Sequence, residues 1–464
     1  MIGLTLARIV IETQTPLAIH SGLREDGFDT QLARDANGLP YIPGTSIAGV
    51  WLHLAKQHLQ SKVNTDEWFG SIKQRSLLKI SNGVLIDSKG KLVKGLILPS
   101  KIKDDTLLNR LAQASPHHRE RVAINDRGVA EGKAKYDQIL LPKGIRFCVD
   151  IRVESQQLNT DEWQQLLSLW HSRLFALGAD TRNGLGQIKV IGVQQTHIDL
   201  SDLSGTHPTD KISDFFASPL PTTHTLSQQE TPLIELQLEV DGYWRFGRGA
   251  TPLNQSDHDA AMLSYSEPSV TWQNGTPSWQ VPKPVLCGSA IKGILAHRTA
   301  FHYNRITARF AETLADATHQ QWQARPNKLA DLFGAIEDDQ VPLKKDSPPK
   351  AGRLIVEDSP IEYKPEQVTV RYHNSIDRFT GGVRRGALFS EELLYEPTIT
   401  IRIWLLGDEQ LDHKLLQAFE ATINDLTNGL LPLGAGAGRG TSLIKPSGGF
   451  AKGTLAHLSL ESGQ

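Results

Sequence analysis

Between Leu4 and Ile11 apolar and polar side chains alternate, a two-residue period that predicts a strand, and the same alternation returns from Leu233 to Val240. Downstream of each, the period lengthens to that of a helix. Ile47, Val50, Trp51 and Leu54 form one apolar stripe, and Ile291, Ile294 and Leu295 form another. Further helical patterns run from Asp161 to Phe175 and from Asp412 to Leu426, each ahead of a glycine-rich loop. Runs of strand type, such as Leu354–Val356 and Thr398–Trp404, lie between the helices. Strand, helix, strands, helix, strand is the order of an α+β ferredoxin-like (RRM-like) sandwich, and the chain states it twice.

Short motifs repeat in the same order. Tyr41-Ile42-Pro43-Gly44-Thr45-Ser46-Ile47-Ala48-Gly49 matches Val285-Leu286-Cys287-Gly288-Ser289-Ala290-Ile291-Lys292-Gly293, and Trp68-Phe69-Gly70 matches Leu332-Phe333-Gly334. Asn125-Asp126-Arg127 matches Ile376-Asp377-Arg378, and the loop Gly178–Gly184 matches Gly434–Gly440. Four ordered matches imply an internal duplication. The expected organisation is one domain over residues 1–198, a Pro, Ser, Thr and Asp-rich linker over 199–231, and a second domain over 232–464. The arms Ser100–Tyr136 and Tyr363–Glu391 read as long irregular insertions, a length that is functional or disordered in most proteins.

Composition narrows the class. With 39% apolar and 22% charged residues the chain is of ordinary globular type, and its net charge of −2 argues against indiscriminate coating of nucleic acid. The opening residues lack the pattern of a signal peptide, no segment approaches membrane-spanning length, and two cysteines are too few for a disulfide framework or a zinc site. A cytoplasmic protein without membrane association is expected.

Several residues are candidates for chemistry. Gly44 and Gly288 turn the chain into helices whose first N–H groups suit a phosphate, with Thr45, Ser46 or Ser289 as caps; a plain capped helix is the alternative. The loops carrying Gly178, Arg182 and Gly184, and Gly434, Arg439 and Gly440, follow a helix and precede a strand, the reverse of a dinucleotide site. Either they approach a phosphate backbone or they are turns needing positive φ. Basic clusters at His117, His118, Arg119, Arg121 and Arg127, and at Arg371, Arg378, Arg384 and Arg385, occupy corresponding arms and suit the grip of a nucleic-acid strand. Tyr136, Tyr372, Phe379 and Phe389 are candidates for stacking on bases or for the core. Glu25, Asp26, Asp29 and Asp35 crowd one loop, where a carboxylate beside a phosphodiester can hold Mg2+ or orient a nucleophile, or simply be solvated.

Together, Gly-Leu-Pro-Tyr-Ile-Pro-Gly-Thr-Ser (38–46), Gly352-Arg-Leu-Ile355, Asn374-Ser-Ile-Asp-Arg-Phe-Thr-Gly-Gly382 and both glycine loops resemble the RAMP superfamily of CRISPR proteins. The resemblance is to backbone subunits of type III RNA-targeting effector complexes, here two fused in tandem. It implies a CRISPR guide RNA, a complementary single-stranded target RNA, and other effector subunits on both sides as partners. It also implies that Asp29, from the Asp29…Asp35 spacing, is the metal-binding catalytic acid for Mg2+-dependent target cleavage, with Asp26 as its nearest competitor. Aligning Asn274-Gly275 with Asn37-Gly38 sets Ser266 opposite Asp29, so the second half is expected to grip without cutting, despite Glu267, Asp257 and Asp259 nearby. Lys292, where the first half has Ala48, is expected to give the second helix the firmer phosphate grip. A purely structural RNA-binding module, and a solitary metal-independent guide-processing ribonuclease using His20, are the alternatives.

Overall fold

The computed structural model describes residues 3–59, 62–124, 129–155, 158–201, 207–222, 231–253, 260–310, 312, 325–335, 350–407, 410–450 and 453–459. In the first half the elements in chain order are β1 (Gly3–Thr13), α1 (Gly44–His58), β2 (Leu78–Ile80), a hairpin of β3 (His117–Ile124) and β4 (Ala130–Leu140), β5 (Arg146–Ser155), α2 (Thr160–Ser168) and β6 (Ile188–Asp199). The antiparallel sheet runs β2-β5-β1-β6. One face carries α1 and α2 over a core containing Trp51, Trp163 and Trp170, as the helical stripe predicts.

The other face of that sheet is covered too. Arg8, 1% exposed, binds Asp150 through both Nε (2.8 Å) and Nη2 (3.2 Å), beneath the rings of Phe215 and Phe216. Those rings belong to α3 (Pro208–Ala217), a helix inside the segment read as linker. Its apolar residues dock on Leu4, Leu6 and Ile198, which is why β1 is buried on both faces although its sequence alternates.

The second half repeats the order with β7 (Ile234–Asp241), a hairpin of β8 (Ser266–Gln273) and β9 (Thr276–Leu286), α4 (Gly288–Ile306), β10 (Leu354–Val356), a hairpin of β11 (Val368–His373) and β12 (Phe389–Tyr395), β13 (Thr398–Leu405), α5 (His413–Thr427) and β14 (Leu443–Ile444). Its sheet runs β10-β13-β7-β14, the same permutation. Both arms read as irregular are largely these hairpins, β3-β4 and β11-β12, whose ladders pair residues too far apart in sequence for periodicity to reveal.

The halves meet head to tail. Hairpin β8-β9 reaches back so that Val270, Trp272 and Trp279 join the first core; Trp272 Nε1 donates to Gly144 O (2.8 Å) and Trp279 Nε1 to Thr106 O (3.2 Å). Hairpin β3-β4 reaches forward. Its Arg119, 2% exposed, lies between Glu267 (2.6 Å) and Asp358 (2.5 Å), while His117 meets Tyr265 OH at 3.0 Å and His297 meets Ile124 O at 3.0 Å. Burial opposes these charges, but two carboxylates around one guanidinium hold Arg119 protonated far above the ordinary range. Glu267 is held low by Arg119 and His117 against the cost of burial, whereas burial wins at Asp358 and pushes it up.

Candidate functional site

The residues of the first helix turn are placed by packing against a strand end. A Cβ on Gly44 would lie 2.9 Å from the carbonyl oxygens of Ile80 and Ser81, and one on Gly288 would lie 2.2 Å from that of Val356. Each glycine is therefore required for close approach. The N–H of Gly44 donates to Asn82 Oδ1 (2.9 Å), and that of Gly288 to Asp358 Oδ1 (2.8 Å). Thr45, Ser46 and Ser289 sit within the first turn and make no cap, because the helices begin at Gly44 and Gly288 behind Pro43 and Cys287. At the second helix, the phosphate position anticipated from sequence is occupied by the protein's own Asp358.

Lys292 is also turned inward. It is 9% exposed, and its Nζ donates to the carbonyls of Leu354 (2.9 Å) and Arg182 (3.4 Å). Burial, with Arg182 nearby, lowers its pKa to about 8. The residue expected to grip phosphate instead ties the second helix to the first glycine loop.

The two glycine loops share a backbone form. Each holds a 3-10 turn, Thr181–Asn183 or Ala437–Arg439, between left-handed residues: Asp180 (φ 59°) and Gly184 (φ 86°), or Gly436 (φ 81°) and Gly440 (φ 76°). This matching places Arg439 opposite Asn183, so Arg182 and Arg439 are not counterparts. Gly178 packs against Ala18 O and Gly184 against Val356 O, where a Cβ would sit 2.4 and 2.8 Å away; around Gly440 there is open space. Gly434 is tucked against Ser442. Each loop is tied to its hairpin by an ion pair of opposite polarity. Arg121 binds Asp180 at 3.1 Å, and Arg439 binds the buried Glu391 at 2.6 Å. Burial disfavours ionised Asp180, yet Arg121, Gln138 and Asn183 outweigh it and keep its pKa low. Arg121 is thus a structural partner, and Arg127 lies outside the described residues.

The acidic loop is laid along the outgoing strand of the first hairpin. Asp29 Oδ2 accepts from Asp137 N (3.0 Å), Thr30 Oγ1 accepts from Ile139 N (2.8 Å), and the Phe28 ring packs on His118 at 5.4 Å. Arg24, Glu25, Asp26, Gly27, Phe28, Asp29 and Asp137 line one open depression. Asp35 stands apart, accepting from Asn37 N (2.8 Å) and Leu39 N (2.9 Å) as the staple of a turn. His20 is held at Ile139 O (3.0 Å). Asp137 was not legible in the sequence, since nothing there gives the register that sets it beside Asp29; its Oδ1 is shielded from solvent with no hydrogen-bond partner. Among the described residues no three His, Cys, Asp or Glu side chains are grouped to cage a metal. Mg2+, however, commonly takes one or two carboxylates plus water and phosphate oxygens, and Asp29 with Asp137 fits that donor set.

Among the described residues the second half has no acid at the matching place. Ala18 O accepts from Ala179 N as Arg245 O does from Ala435 N, and Leu141 pairs with Leu17 as Leu394 does with Trp244. Asp137 then corresponds to Ser390. Alongside Ser390 run Ala261 and Met262, bonded through Ala261 N to Ser390 Oγ (2.9 Å) and Met262 N to Ser390 O (3.0 Å). Ala261, not Ser266, stands opposite Asp29; Ser266 begins β8 and pairs with Pro284. Asp257 and Asp259 lie outside the described residues.

The second hairpin ends in an ordered, exposed tip. Asp377 Oδ1 accepts from Phe379 N (3.0 Å) and Thr380 N (2.9 Å), bonds that lower its pKa, so the Asp-Arg pair is a turn staple presenting Arg378 and Phe379 outward. Phe379 is 98% exposed and Tyr372 73%, with Arg371, Arg378, Arg384 and Arg385 all on the surface; Arg371 stacks on Tyr243 at 4.6 Å. Phe389 is instead stacked on His373.

Two α+β units with an acidic loop in one and a basic, aromatic hairpin tip in the other accord with the sequence comparison. The chain matches the RAMP superfamily over residues 10–189 and 267–445 and belongs to that family. No curated protein matches it. Among solved structures, a chain of the type III-B Cmr-beta complex bound to cognate target RNA, seen by cryo-EM, is similar at 14% identity and a TM-score of 0.31, over 41% of this chain and 60% of that one. Among the described residues no helix is long and apolar enough to cross a membrane.

Proposed function

We propose that this protein is a guide-RNA-binding backbone subunit of a type III CRISPR effector complex, in which the first half cleaves guide-paired target RNA and the second half only grips. Membership of the RAMP superfamily in both halves supports the class of complex, and the shared β-α-β-β-α-β order with its common strand permutation supports reading each half as ferredoxin-like. The observation that carries the catalytic assignment is Asp29, clamped beside Asp137 at the hairpin base and open to solvent on its other side. Asp29 would hold Mg2+ with Asp137, and the ion when bound would neutralise charge on the scissile phosphate. The chain's own contribution is positioning. The hydrogen bond from Asp137 N fixes one oxygen of Asp29, leaving the other to face an RNA backbone whose 2′-hydroxyl attacks the adjacent phosphorus in line, closing a 2′,3′-cyclic phosphate as the P–O5′ bond breaks and the 5′-oxygen leaves as a hydroxyl. Arg378, Arg384 and Arg385 supply phosphate contacts, and Phe379 and Tyr372 supply surfaces for bases. The reconstituted guide-loaded complex should lose one discrete Mg2+-dependent cut in end-labelled target RNA on Asp29→Ala while target binding persists. An unchanged cut pattern would leave the chain as a non-catalytic scaffold.

A further inference from the structure

The contact between the halves is heterologous: a plug on the first half enters a socket on the second. The plug is Leu174 with Arg173 and the loop Gly178–Gly184. The socket is Ile355, Trp404 and Leu406, against which Leu174 packs, with Glu357 on Arg173 and Lys292 under the Arg182 carbonyl. A heterologous contact leaves one unmatched plug and one unmatched socket at the ends of the pair, and identical copies with matching ends would grow into a chain.

The unmatched plug keeps its leucine and its loop, with Gly429 where the first half has Arg173. Leu177 N bonds to Gly186 O as Leu433 N bonds to Ser442 O, so Leu430 corresponds to Leu174. Leu430 is 62% exposed, and Gly438, Arg439 and Gly440 beside it are exposed as well. The unmatched socket is not complete. Lys79 pairs with Arg152 as Ile355 pairs with Trp404, so the first half presents Lys79, Arg152 and Glu154 where the second presents Ile355, Trp404 and Leu406. Ser81 replaces Glu357, Asn82 replaces Asp358 and Ala48 replaces Lys292. Lys79 and Glu154 form an ion pair with side chains 39% and 49% exposed. An exposed leucine gains nothing by docking on solvated charges that it would strip of water.

We infer that the face around Leu430 docks a different protein of the same fold, one whose socket carries an apolar strand pair like Ile355 and Trp404, and that this chain does not add copies of itself. The reading rests on the internal contact and not on RNA binding, and its test contains no RNA. Failure here therefore leaves the proposed function standing.

The probe is the full chain with its first-half face rebuilt as the socket, Lys79→Ile, Arg152→Trp and Glu154→Leu with Ala48→Lys and Asn82→Asp, Ser81 being kept because the wild-type plug has Gly429 and no arginine to pair with a glutamate there, and with Leu430→Glu to disable its own plug. Its fold is checked by circular dichroism, and masses are read by sedimentation. The wild-type chain alone and the probe alone should each stay monomeric across a concentration series, and the two mixed should form a one-to-one complex. Leu430→Glu in the wild-type partner should weaken that complex by about tenfold or more, because it forces an unpaired carboxylate into an apolar socket. A folded probe that forms no complex would overturn the inference. So would self-association of the wild-type chain, a result that needs no probe and stands even if the rebuilt chain does not fold.

Discussion

The two hairpins β3-β4 and β11-β12 arise from the same place in each half, yet the first is locked onto the other half while the tip of the second is exposed. In the first, Arg119 is buried between Glu267 and Asp358, and the carbonyl of Ile124 is received by His297. In the second, the corresponding strand ends in exposed Tyr372, Phe379 and four surface arginines. The difference lies in the neighbour that each hairpin meets. The first has the second half to lie on, whereas the tip of the second is covered by none of the described residues. A duplicated element thus acquires a structural or a presenting role from its neighbour.

Breaking the locked hairpin should have the largest effect. Arg119→Met strands two buried carboxylates, and chemical denaturation should show a loss of about 3–5 kcal/mol; Arg378→Met at the exposed tip should stay within about 0.5 kcal/mol of wild type. The same asymmetry applies to cleavage. Asp29→Ala should slow the cut by about 10²–10³-fold in single-turnover assays, a range usual for losing one electrostatic group, while Asp257→Ala and Asp259→Ala leave the pattern intact.

Lys292 sharpens the comparison through pH. Its amine, near 8 when buried and 10.5 in the unfolded chain, binds its proton less tightly in the native state. Stability at this site therefore rises as pH climbs from about 8 to 10.5, by on the order of 3 kcal/mol, and is lowest once both states are protonated below 8. Lys292→Met should abolish that rise in denaturation midpoints, whereas Ala48→Met at the matching place should not alter it. The smallest effect is expected at the free tip. Phe379→Ala should weaken RNA binding by about 1–3 kcal/mol with stability unchanged, measured by titration at fixed salt.

The duplication was legible because strand and helix periods survive divergence at individual positions, and Gly44 and Gly288 survive because nothing larger fits beside a strand carbonyl. The placing of charged residues was less legible. Arg121, Arg439 and Lys292 are all of a type that suits phosphate, yet each is engaged by the protein itself, and only packing decides that. The Asn-Gly alignment failed for a different reason. Asn274-Gly275 (φ 49° and 79°) closes a hairpin, whereas Gly38 sits in the turn stapled by Asp35, so a common turn dipeptide matched two unrelated turns. Asp137 was invisible because pairing register is a property of the folded hairpin.

Hairpin β8-β9 has one further consequence, for synthesis on the ribosome. Trp272 and Trp279 belong by sequence to the second half but complete the packing of the first, where Gly144 and Thr106 supply carbonyl acceptors for their indole N–H groups. The amino-terminal core therefore reaches its final packing only after residues near 286 have emerged, well past the point at which its own sheet has been translated. A nascent chain halted at residue 199 should be cut readily by protease, and one released through residue 290 should resist, so that translation past this hairpin, and not the end of the first sheet, sets when the first half matures.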